Sequence, residues 1–427
     1  MSRGTAVGEP PGAGGGRRRA VPPLAPRPIL DVDLELDADV VLPSLPAGPA
    51  PVDVLLVLWS GGVPVGQLVV PARQLPISRA DARLAVARAS AASGAGTAAP
   101  PGTPAADDVT VVICTRDRPE WLARCLMALA RSTAPPAEVL VVDNAPSSEA
   151  TRVLVDRMQG VRYVREPRPG LDIARNTGLR AATTEFVAYT DDDAEPHPDW
   201  TWRIRRAFDD DDRDDASTVG VTGLVLPAEL DTDAQVLFED HAGFGRGYVR
   251  RDFGPDFLIR HRRRGAPVWE IGAGANMAFR RSAVAAVGGF DERLDVGAAG
   301  CSGDSEMWHR LLATGGRCRY EPSAVVRHHH RRTREELLRQ MYFYMRGHAC
   351  ALLVQFERHR SPGDLVRLFL VLPQWYGTSA AKALVRRLRG VPRAADALLA
   401  PQMRGCLAGV LFYLRSRRPA ATTEPNR

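Results

Sequence analysis

Short apolar runs alternate with amphipathic segments through the middle of the chain. The apolar runs, rich in β-branched residues, are VTVVIC (109–114), EVLVVD (138–143), VRYVR (161–165) and EFVAYT (185–190). Helical patterns lie between them, most clearly at residues 119–130 and 171–182. Strands that alternate with helices of this length predict an α/β fold in which helices flank a mainly parallel sheet. Ligands of such sheets bind at the carboxyl ends of the strands.

The regions on either side of this pattern differ from it in composition. VDVLLVLW and GQLVV flank a turn-like Ser-Gly-Gly at residues 60–62, which predicts a β-hairpin. Gly, Pro and Arg dominate the first residues, a composition typical of disorder. The predicted division is a disordered tail (1–27), a small β-containing module that ends in a helical stretch (28–88), a linker (89–106), the α/β domain (107–332) and a helical region (333–427).

Arginine supplies almost all of the positive charge, and Lys382 is the only lysine in the 427 residues. A Walker P-loop needs a lysine beside the phosphates and a Schiff-base enzyme needs one at the reacting carbon, so both classes are excluded. The six cysteines form no CxxC pair, which favours reduced thiols in a cytosolic protein. No apolar segment follows the arginines at 17–19, and no uninterrupted apolar run reaches the roughly 18 residues of a spanning helix. The protein is therefore predicted to be soluble or peripheral to a membrane.

Three consecutive carboxylates, Asp191, Asp192 and Asp193, directly follow the run EFVAYT. At the end of a buried strand they repel one another unless a cation lies among them. Mg²⁺ takes one or two protein carboxylates and completes its shell with phosphate oxygens. The triplet therefore predicts a divalent cation, Mg²⁺ or Mn²⁺, bound together with a diphosphate.

Two earlier strands also end in acidic residues, Asp117 and Asp143. Asp117, with Glu120 three residues later, can cap the next helix, and Asp143 can form a turn. Polar side chains at neighbouring strand ends can equally form the rim of a nucleotide pocket. Both interpretations stay open from the residues alone.

Six ordered segments resemble glycosyltransferase family 2, with its GT-A fold. They are VTVVICTRDRP, EVLVVDNAPSS, GLDIARNTGLRAAT, FVAYTDDDAEPHPDW, GAGANMAFRRSAVAAVGGFDE and CSGDSEMWHRLLATGGRCRYEP, and they cover about residues 107–332. The resemblance implies that Thr115, Asp117 and Asp143 hold the nucleoside and that Arg175 and Asn176 lie near the diphosphate. It maps the DxD element to Asp191 and Asp193, with Asp193 as the metal ligand and Asp191 or Asp192 toward the ribose.

Two further segments are interpreted with the resemblance. The glycines of GAGANMAFRR let backbone approach a ligand closely, so Asn276 is expected at the donor, although a packing loop is the alternative. The resemblance places Asp304 as the general base. Gly303 stands where the family has Glu, which leaves Glu306 as a substitute base, and Asp304 can also cap a helix.

The histidines at the end of VVRHHH form the last candidate group. In an extended segment, His328 and His330 point to one side and His329 to the other. The resemblance implies that His328 or His330 completes the shell of the ion. A basic cluster with Arg331 and Arg332 that faces phosphate is the competing interpretation, because imidazole prefers softer metals than Mg²⁺.

The resemblance implies an inverting transfer of a sugar from a nucleoside-diphosphate donor to an acceptor hydroxyl, which we expect in cell-envelope or exopolysaccharide synthesis. A nucleotidyltransferase of similar fold and a catalytically inactive nucleotide-sugar-binding scaffold are the alternatives. The expected acceptor is a saccharide or a lipid-linked sugar, and no nucleic acid is expected as a partner. Apolar and aromatic residues mixed with arginine beyond residue 333 predict peripheral attachment of a cytoplasmic protein to the inner face of the plasma membrane. A helical cap packed on the catalytic domain would show the same pattern.

Overall fold

The structure is a computed structural model that describes residues 24–35, 52–93, 105–209, 217–295 and 298–416. Its amino-terminal part contains a three-stranded sheet of β1 (Ile29–Asp33), β2 (Asp53–Ser60) and β3 (Val63–Pro71). β2 and β3 are antiparallel and joined by Gly61 and Gly62, whose φ angles of 57° and 72° favour glycine. The predicted hairpin is therefore confirmed. β1, which is not part of the predicted hairpin, pairs in parallel with β2.

A larger sheet forms the centre of the described residues. Its nine strands there are β4 (Val109–Thr115), β5 (Glu138–Asn144), β6 (Val161–Glu166), β7 (Phe186–Asp191), β8 (Ala194–Pro196), β9 (Thr218–Pro227), β10 (Arg251–Phe253), β11 (Asn276–Arg280) and β12 (Arg317–His328). Their spatial order is β10-β12-β9-β11-β7-β4-β5-β6, and β8 pairs with β12. β6, β5, β4 and β7 run parallel, as do β9 and β12, while β11 lies antiparallel between β7 and β9. The predicted α/β fold class is confirmed.

Helices cover both faces of this sheet and continue beyond it. They are α1 (Arg79–Ser93), α2 (Pro119–Leu129), α3 (Ala150–Val155), α4 (Leu171–Ala181), α5 (Trp200–Arg206), α6 (Asp233–Ala242), α7 (Pro255–His261), α8 (Arg281–Ala286), α9 (Gly303–Ala313), α10 (Arg334–His359), α11 (Pro362–Val366), α12 (Leu372–Leu388) and α13 (Leu399–Ser416).

The central strands are apolar on both faces because each face is covered. Val112 of β4 belongs to one core cluster, which includes residues of α4, and Ile113 belongs to another, which includes residues of α2. Both valine and isoleucine are fully buried. This double burial explains why the strands read as continuous apolar runs rather than as alternating ones.

The amino-terminal sheet is fastened to the central one. Leu55 and Val57 of β2 join the same core cluster as Leu224 of β9. In addition, Arg327 of β12 forms an ion pair with Asp31 of β1 at 2.6 Å. The small module therefore shares part of its core with the central sheet.

The predicted tail and linker differ from the structure at their ends. Leu24 packs against the core, and Arg27 pairs with Asp240 at 2.7 Å, so residues 24–27 are ordered by an apolar anchor and an ion pair. α1 continues to Ser93, five residues into the predicted linker, since its alanines have high helix propensity. Residues 1–23 of the tail and 94–104 of the linker lie outside the described residues.

The carboxy-terminal helices pack on one another and on the domain. α10 begins with a capping box between Thr333 and Glu336. α13 lies along α10, and a Cβ on Gly405 or Gly409 would lie 2.2 Å from a carbonyl oxygen of α10, so only glycine allows this approach. The helical stretch Ala394–Ser416 is long and apolar enough to cross a membrane by length and composition. The expectation concerned uninterrupted apolar runs, and this stretch is not one, because Asp396 and Arg404 interrupt it.

Candidate active site

The carboxyl ends of β4, β5 and β7 meet at one edge of the sheet. Their parallel register places Thr115 opposite Asp143 and Cys114 opposite Asp191. β8 then turns back antiparallel to β12, with Ala194 opposite His328. This return brings the acid triplet beside the histidines, although about 135 residues separate them in the chain.

One ligand atom from each of Asp191, Asp193 and His328 lies within 4.8 Å of the others. His328 Nε2 is 3.3 Å from Asp193 Oδ1. Two carboxylates and an imidazole at this spacing fit a divalent cation such as Mn²⁺ or Mg²⁺, with the imidazole favouring the softer Mn²⁺. The structure therefore assembles three of the four predicted metal ligands.

His330, the fourth, lies behind His328 rather than in this group. Its Nδ1 is 3.3 Å from His328 Nδ1, and its Nε2 is 3.1 Å from Glu239 Oε2. Such a chain fixes the ring orientation of the outer imidazole. The predicted side-chain directions are confirmed, because His329 points the other way, to Glu195 Oε1 at 3.0 Å.

Arg118, which the sequence did not single out, is the main cation beside the triplet. Its guanidinium donates to both Asp192 oxygens and, from Nη1 at 2.9 Å, to Asp193 Oδ2. Asp193 thus turns one oxygen to Arg118 and the other to His328. Burial would raise the pKa of Asp193, but His328 and Arg118 outweigh it and hold that pKa well below its ordinary value.

Asp192 points away from the metal group toward β4. Thr115 Oγ1 donates to Asp192 Oδ2 at 2.7 Å, and Asp192 is only 1% exposed. Burial raises the pKa of Asp192 although Arg118 opposes it. This aspartate links the ends of β4 and β7.

Asp143 lies at the next strand end with one oxygen available. Tyr163 donates to its Oδ2 at 2.9 Å, whereas its Oδ1 is buried and has no hydrogen-bond partner among the described residues. Burial raises the pKa of this carboxyl. A buried acceptor without a partner is costly, which marks this oxygen as a place for a donor from a ligand.

Asp117 does not cap α2, because that helix begins after Arg118 and shows no side-chain cap. Its carboxylate instead accepts from the backbone N–H and the hydroxyl of Ser147, both at 2.8 Å. These bonds lower the pKa of Asp117. Asp117 therefore ties the loop after β4 to the loop after β5, on either side of Asp143.

Arg175, in α4, connects the metal group to the predicted base. Burial would lower its pKa, but the carboxylates of Asp172, Asp191 and Asp304 outweigh burial and raise it. A Cβ on Gly274 would lie 2.8 Å from Arg175 Nη2 and 2.9 Å from Asp304 Oδ2. Both groups therefore converge on the backbone of Gly274, whose missing side chain gives them room.

Asp304 is partly exposed in the first turn of α9 and accepts from the backbone N–H of Ser305 at 2.7 Å. Glu306 is fully buried and paired with Arg310 at 2.7 Å and with Arg358 at 3.5 Å. The alternative that Glu306 is the base does not agree with this placement, because its carboxylate is fully buried and its partner Arg310 is buried with it.

The two predicted asparagines lie inside the fold. Asn176 exchanges hydrogen bonds with the backbone of Phe290 at 2.7 and 2.9 Å. Asn276 donates to the carbonyl oxygens of Leu224 and Ala324, both at 2.9 Å, and accepts from Trp200. Their amides hold β9, β11, β12 and the loop before Asp291 in place, which agrees with the packing alternative for the GAGANMAFRR segment.

The sequence is similar to proteins of one family. Residues 110–288 match the family described as Glycosyl transferase family 2. The chain is 28% identical over 333 residues to the pre-mycofactocin glycosyltransferase of Mycobacterium tuberculosis (strain CDC 1551 / Oshkosh), covering 73% of this chain and 64% of that protein. It is also 28% identical to the succinoglycan biosynthesis protein ExoM of Rhizobium meliloti (strain 1021), covering 51% of this chain and 65% of that protein. The chain thus spans less than two thirds of the length of these relatives.

Among solved structures, it is similar to a mannosyltransferase from Pyrobaculum calidifontis in complex with GDP-Man and Mn²⁺. The TM-score is 0.43 at 19% identity, covering 73% of this chain and 88% of that one.

Proposed function

Since residues 110–288 make this chain a member of glycosyltransferase family 2, we propose that it transfers a glycosyl group from a nucleoside-diphosphate sugar to an acceptor hydroxyl with inversion. The observation that carries the proposal is the convergence of ligand atoms of Asp191, Asp193 and His328 within 4.8 Å. Asp143 lies at a neighbouring strand end, and the buried Arg175 comes from α4. A diphosphate leaving group requires positive charge, which a bound cation and a buried arginine supply, and the nucleoside requires a hydrogen-bonding group such as Asp143 nearby.

The nucleoside end of the donor is proposed to lie against Asp143. The available Oδ1 can accept a hydrogen bond from a ring N–H of the base, which uridine, thymidine and guanosine all offer. Thr115 and Asp117 hold the walls of this pocket through Asp192 and Ser147. The base itself stays open among these three.

The diphosphate is proposed to lie between the metal group and Arg175. Asp191, Asp193 and His328 would hold a divalent cation, Mn²⁺ or Mg²⁺, which supplies Lewis-acid neutralisation of the phosphate oxygens. Arg175 adds a fixed positive charge, and its buried position strengthens the attraction between this charge and the phosphate oxygens. The leaving group therefore departs from a site that is preorganised for negative charge.

The acceptor is proposed to lie beside Asp304. As the acceptor oxygen bonds to the anomeric carbon, the bond from that carbon to the donor phosphate oxygen breaks, and the nucleoside diphosphate leaves with the electron pair. The Asp304 carboxylate takes the hydroxyl proton. One displacement from the opposite face gives the inverted anomer.

The acceptor is proposed to be a saccharide or a lipid-linked sugar of the cell envelope or an exopolysaccharide, presented at a membrane. The name of the succinoglycan relative supports this class, while the other relative is named for a different acceptor. Six unpaired cysteines agree with a cytoplasmic location. We place the protein at the inner face of the plasma membrane as part of the same proposal.

Exposed apolar side chains of α12 and α13 are the proposed membrane contact. Leu407, Leu411 and Leu414 are 70%, 52% and 56% exposed on the face of α13 opposite to its glycines, and Trp375 of α12 is 52% exposed. Arg387, Arg389, Arg404 and Arg415 are exposed in the same region. Apolar residues among cations are typical of helices that lie at an anionic bilayer surface.

A donor screen tests the activity. UDP-, GDP- and dTDP-sugars are each incubated with the full-length protein and Mn²⁺ or Mg²⁺, and release of nucleoside diphosphate is measured with saccharide acceptors. We expect one nucleotide class to be turned over and the activity to disappear in excess EDTA, with Asp304→Asn as the inactive control. Wild-type protein that binds a donor but never transfers would favour the inactive scaffold, and proton NMR of the product anomer decides whether the configuration inverts.

A further inference from the structure

Gly303, the first residue of α9, lies directly against a carboxylate of another helix. A Cβ on Gly303 would be 1.9 Å from Asp172 Oδ2 and 2.6 Å from Asp172 Oδ1. Real Cβ atoms do not approach oxygen so closely. The position next to Asp304 therefore carries no side chain because Asp172 of α4 fills the space.

Asp172 is held in this place from two directions. Asp172 is only 2% exposed, and its Oδ1 accepts a hydrogen bond from Arg175 Nη1 at 3.0 Å. Its backbone N–H donates to Asp295 Oδ2 at 3.0 Å, and Asp295 also accepts from the N–H groups of Leu171 and Ile173. Asp295 thus caps α4 and fixes the first turn that carries Asp172.

The position of Asp172 determines where the Arg175 guanidinium points. Arg175 Nη1 is bonded to Asp172, while Nη2 faces the backbone of Gly274 beside Asp304 Oδ2. The same guanidinium lies in the field of Asp191. Without the Asp172 carboxylate, a long arginine side chain has no side-chain hydrogen bond among the described residues to keep it between the metal group and Asp304.

We propose that Asp172 is a positioning residue, whose carboxylate, inserted from α4 into the space left by Gly303, orients Arg175 toward the departing diphosphate. The inference deepens the proposed function and rests on it. It predicts that the carboxylate, and not the helix from which it comes, is what the site needs.

A carboxylate swap tests this idea. Since an aspartate oxygen lies about 2.4 Å from its own Cβ, the variant Asp172→Ala with Gly303→Asp can return an oxygen close to the present Oδ1 position, 2.6 Å from the Gly303 Cβ. The matched control is Asp172→Ala with Gly303→Ala, which removes the steric conflict but supplies no carboxylate. Asp291→Ala, a buried ion-paired acid on another loop, controls for general loss of stability.

Binding of UDP, GDP and dTDP with Mn²⁺ is measured by calorimetry, together with kcat and KM for the donor that the wild type uses. We expect Asp172→Ala to weaken nucleoside-diphosphate binding by about tenfold and to lower kcat by a factor of ~10 to 10², the scale of one charged hydrogen bond to the site. The swap should recover most of both losses, whereas the double-alanine control should recover neither.

The outcomes separate the two claims. If the wild type binds the nucleotide and the folded swap variant is as impaired as the double-alanine control, Asp172 is structural and the inference is overturned. If the wild type binds the nucleotide but transfers no sugar, the proposed function fails while the binding series still decides the role of Asp172. If Asp291→Ala reproduces the binding loss, the effect is one of stability and the inference also fails.

Discussion

The backbone N–H of His329 donates to the carbonyl oxygen of Asp193 at 3.0 Å. This bond fastens the end of β12 to the turn after β7 and places His328 Nε2 3.3 Å from Asp193 Oδ1. The metal group is therefore built by backbone pairing between two distant segments, and its side chains need little rearrangement to bind a cation.

Asp193→Asn should abolish divalent-dependent turnover while leaving the fold intact. The substitution removes one charge from the cation site but keeps the shape of the side chain. The measurement is activity over a Mn²⁺ titration together with a thermal melt. Glu195→Gln is the matched control, because Glu195 lies two residues later, in β8, and is hydrogen-bonded to His329 outside the metal group. Undiminished wild-type activity in excess EDTA would contradict the metal site.

Asp304→Asn should leave donor binding nearly unchanged and lower kcat by a factor of ~10² or more, the usual scale for a general base. Glu306→Gln should behave differently: it leaves the buried Arg310 without its carboxylate partner and lowers the free energy of unfolding, by about 3 kcal/mol on the scale of broken buried pairs. Calorimetry of donor binding, steady-state rates and denaturant unfolding distinguish the two. A kcat loss confined to Glu306→Gln would move the base to that residue.

The sheet and its strand ends could be predicted because the signal is local. β4, β5 and β7 are buried on both faces, so each appears in the sequence as a mainly apolar run, whereas β6 at the end of the sheet is only partly buried. The predicted bounds of all four strands agree with the structure to within one residue. Direct succession of strand and carboxylate at Asp191 then placed the candidate metal ligand at the correct edge. These features need only a few neighbouring residues to be recognised.

Contacts between distant segments could not be predicted in the same way. Arg118 looks like any arginine after a strand, and only the fold shows that it pairs with Asp192 and Asp193. Gly303 replaces the glutamate of the family pattern because an oxygen of Asp172 occupies the space that a side chain would need. Asp172 lies 131 positions earlier in the chain. Asn276 lies in a motif-like segment, yet its amide is hydrogen-bonded to neighbouring strands and to Trp200.

Asp143→Ala should weaken nucleotide binding by a factor of about 10 to 10², the equivalent of one hydrogen bond to a charged group. The loss should appear in the affinity for nucleoside monophosphates too, because Asp143 is proposed to contact the base rather than the diphosphate. Calorimetry with matched mono- and diphosphates measures both. Arg175→Gln is the contrasting variant, expected to affect the diphosphate alone; equal losses for both nucleotides in both variants would contradict the assignment.

His309 should make the protein less stable in acid. It is 4% exposed, and burial lowers its pKa from 6.5 to about 3, with His359 and Arg310 adding to the effect. Below pH 6.5 the unfolded chain binds a proton that the native state does not, so stability is lost as the pH falls from about 6.5 toward 3. His309→Phe should reduce the loss of unfolding free energy between pH 7 and pH 4.5 by on the order of 2 kcal/mol.

Denaturant unfolding at several pH values measures this difference. The exposed His241 provides a control, His241→Phe, that should leave the pH dependence close to that of the wild type. Parallel curves for His309→Phe and the wild type would show that His309 is not the source of the acid sensitivity.

Replacing the exposed leucines of α13 should detach the protein from anionic vesicles. In Leu407→Gln/Leu411→Gln/Leu414→Gln, the packed face with Gly405 and Gly409 is unchanged, so the helix should stay on α10 while its outer face loses apolar area. At about 25 cal/mol per Å², three leucines contribute several kcal/mol to insertion, enough to move the protein from the floating to the soluble fraction.

Liposome flotation of the full-length protein, with vesicles of neutral and of anionic composition, measures the effect. A matched variant on another surface, Val153→Gln with Ile259→Gln, removes exposed apolar residues of α3 and α7 and should float like the wild type. Arg404→Gln with Arg415→Gln should reduce flotation on anionic vesicles only, and more at low salt than at high salt, because screening already weakens the charge contact. If the wild type floats on neither vesicle at any salt, the exposed face of α13 serves another partner, and the acceptor need not be presented by a lipid.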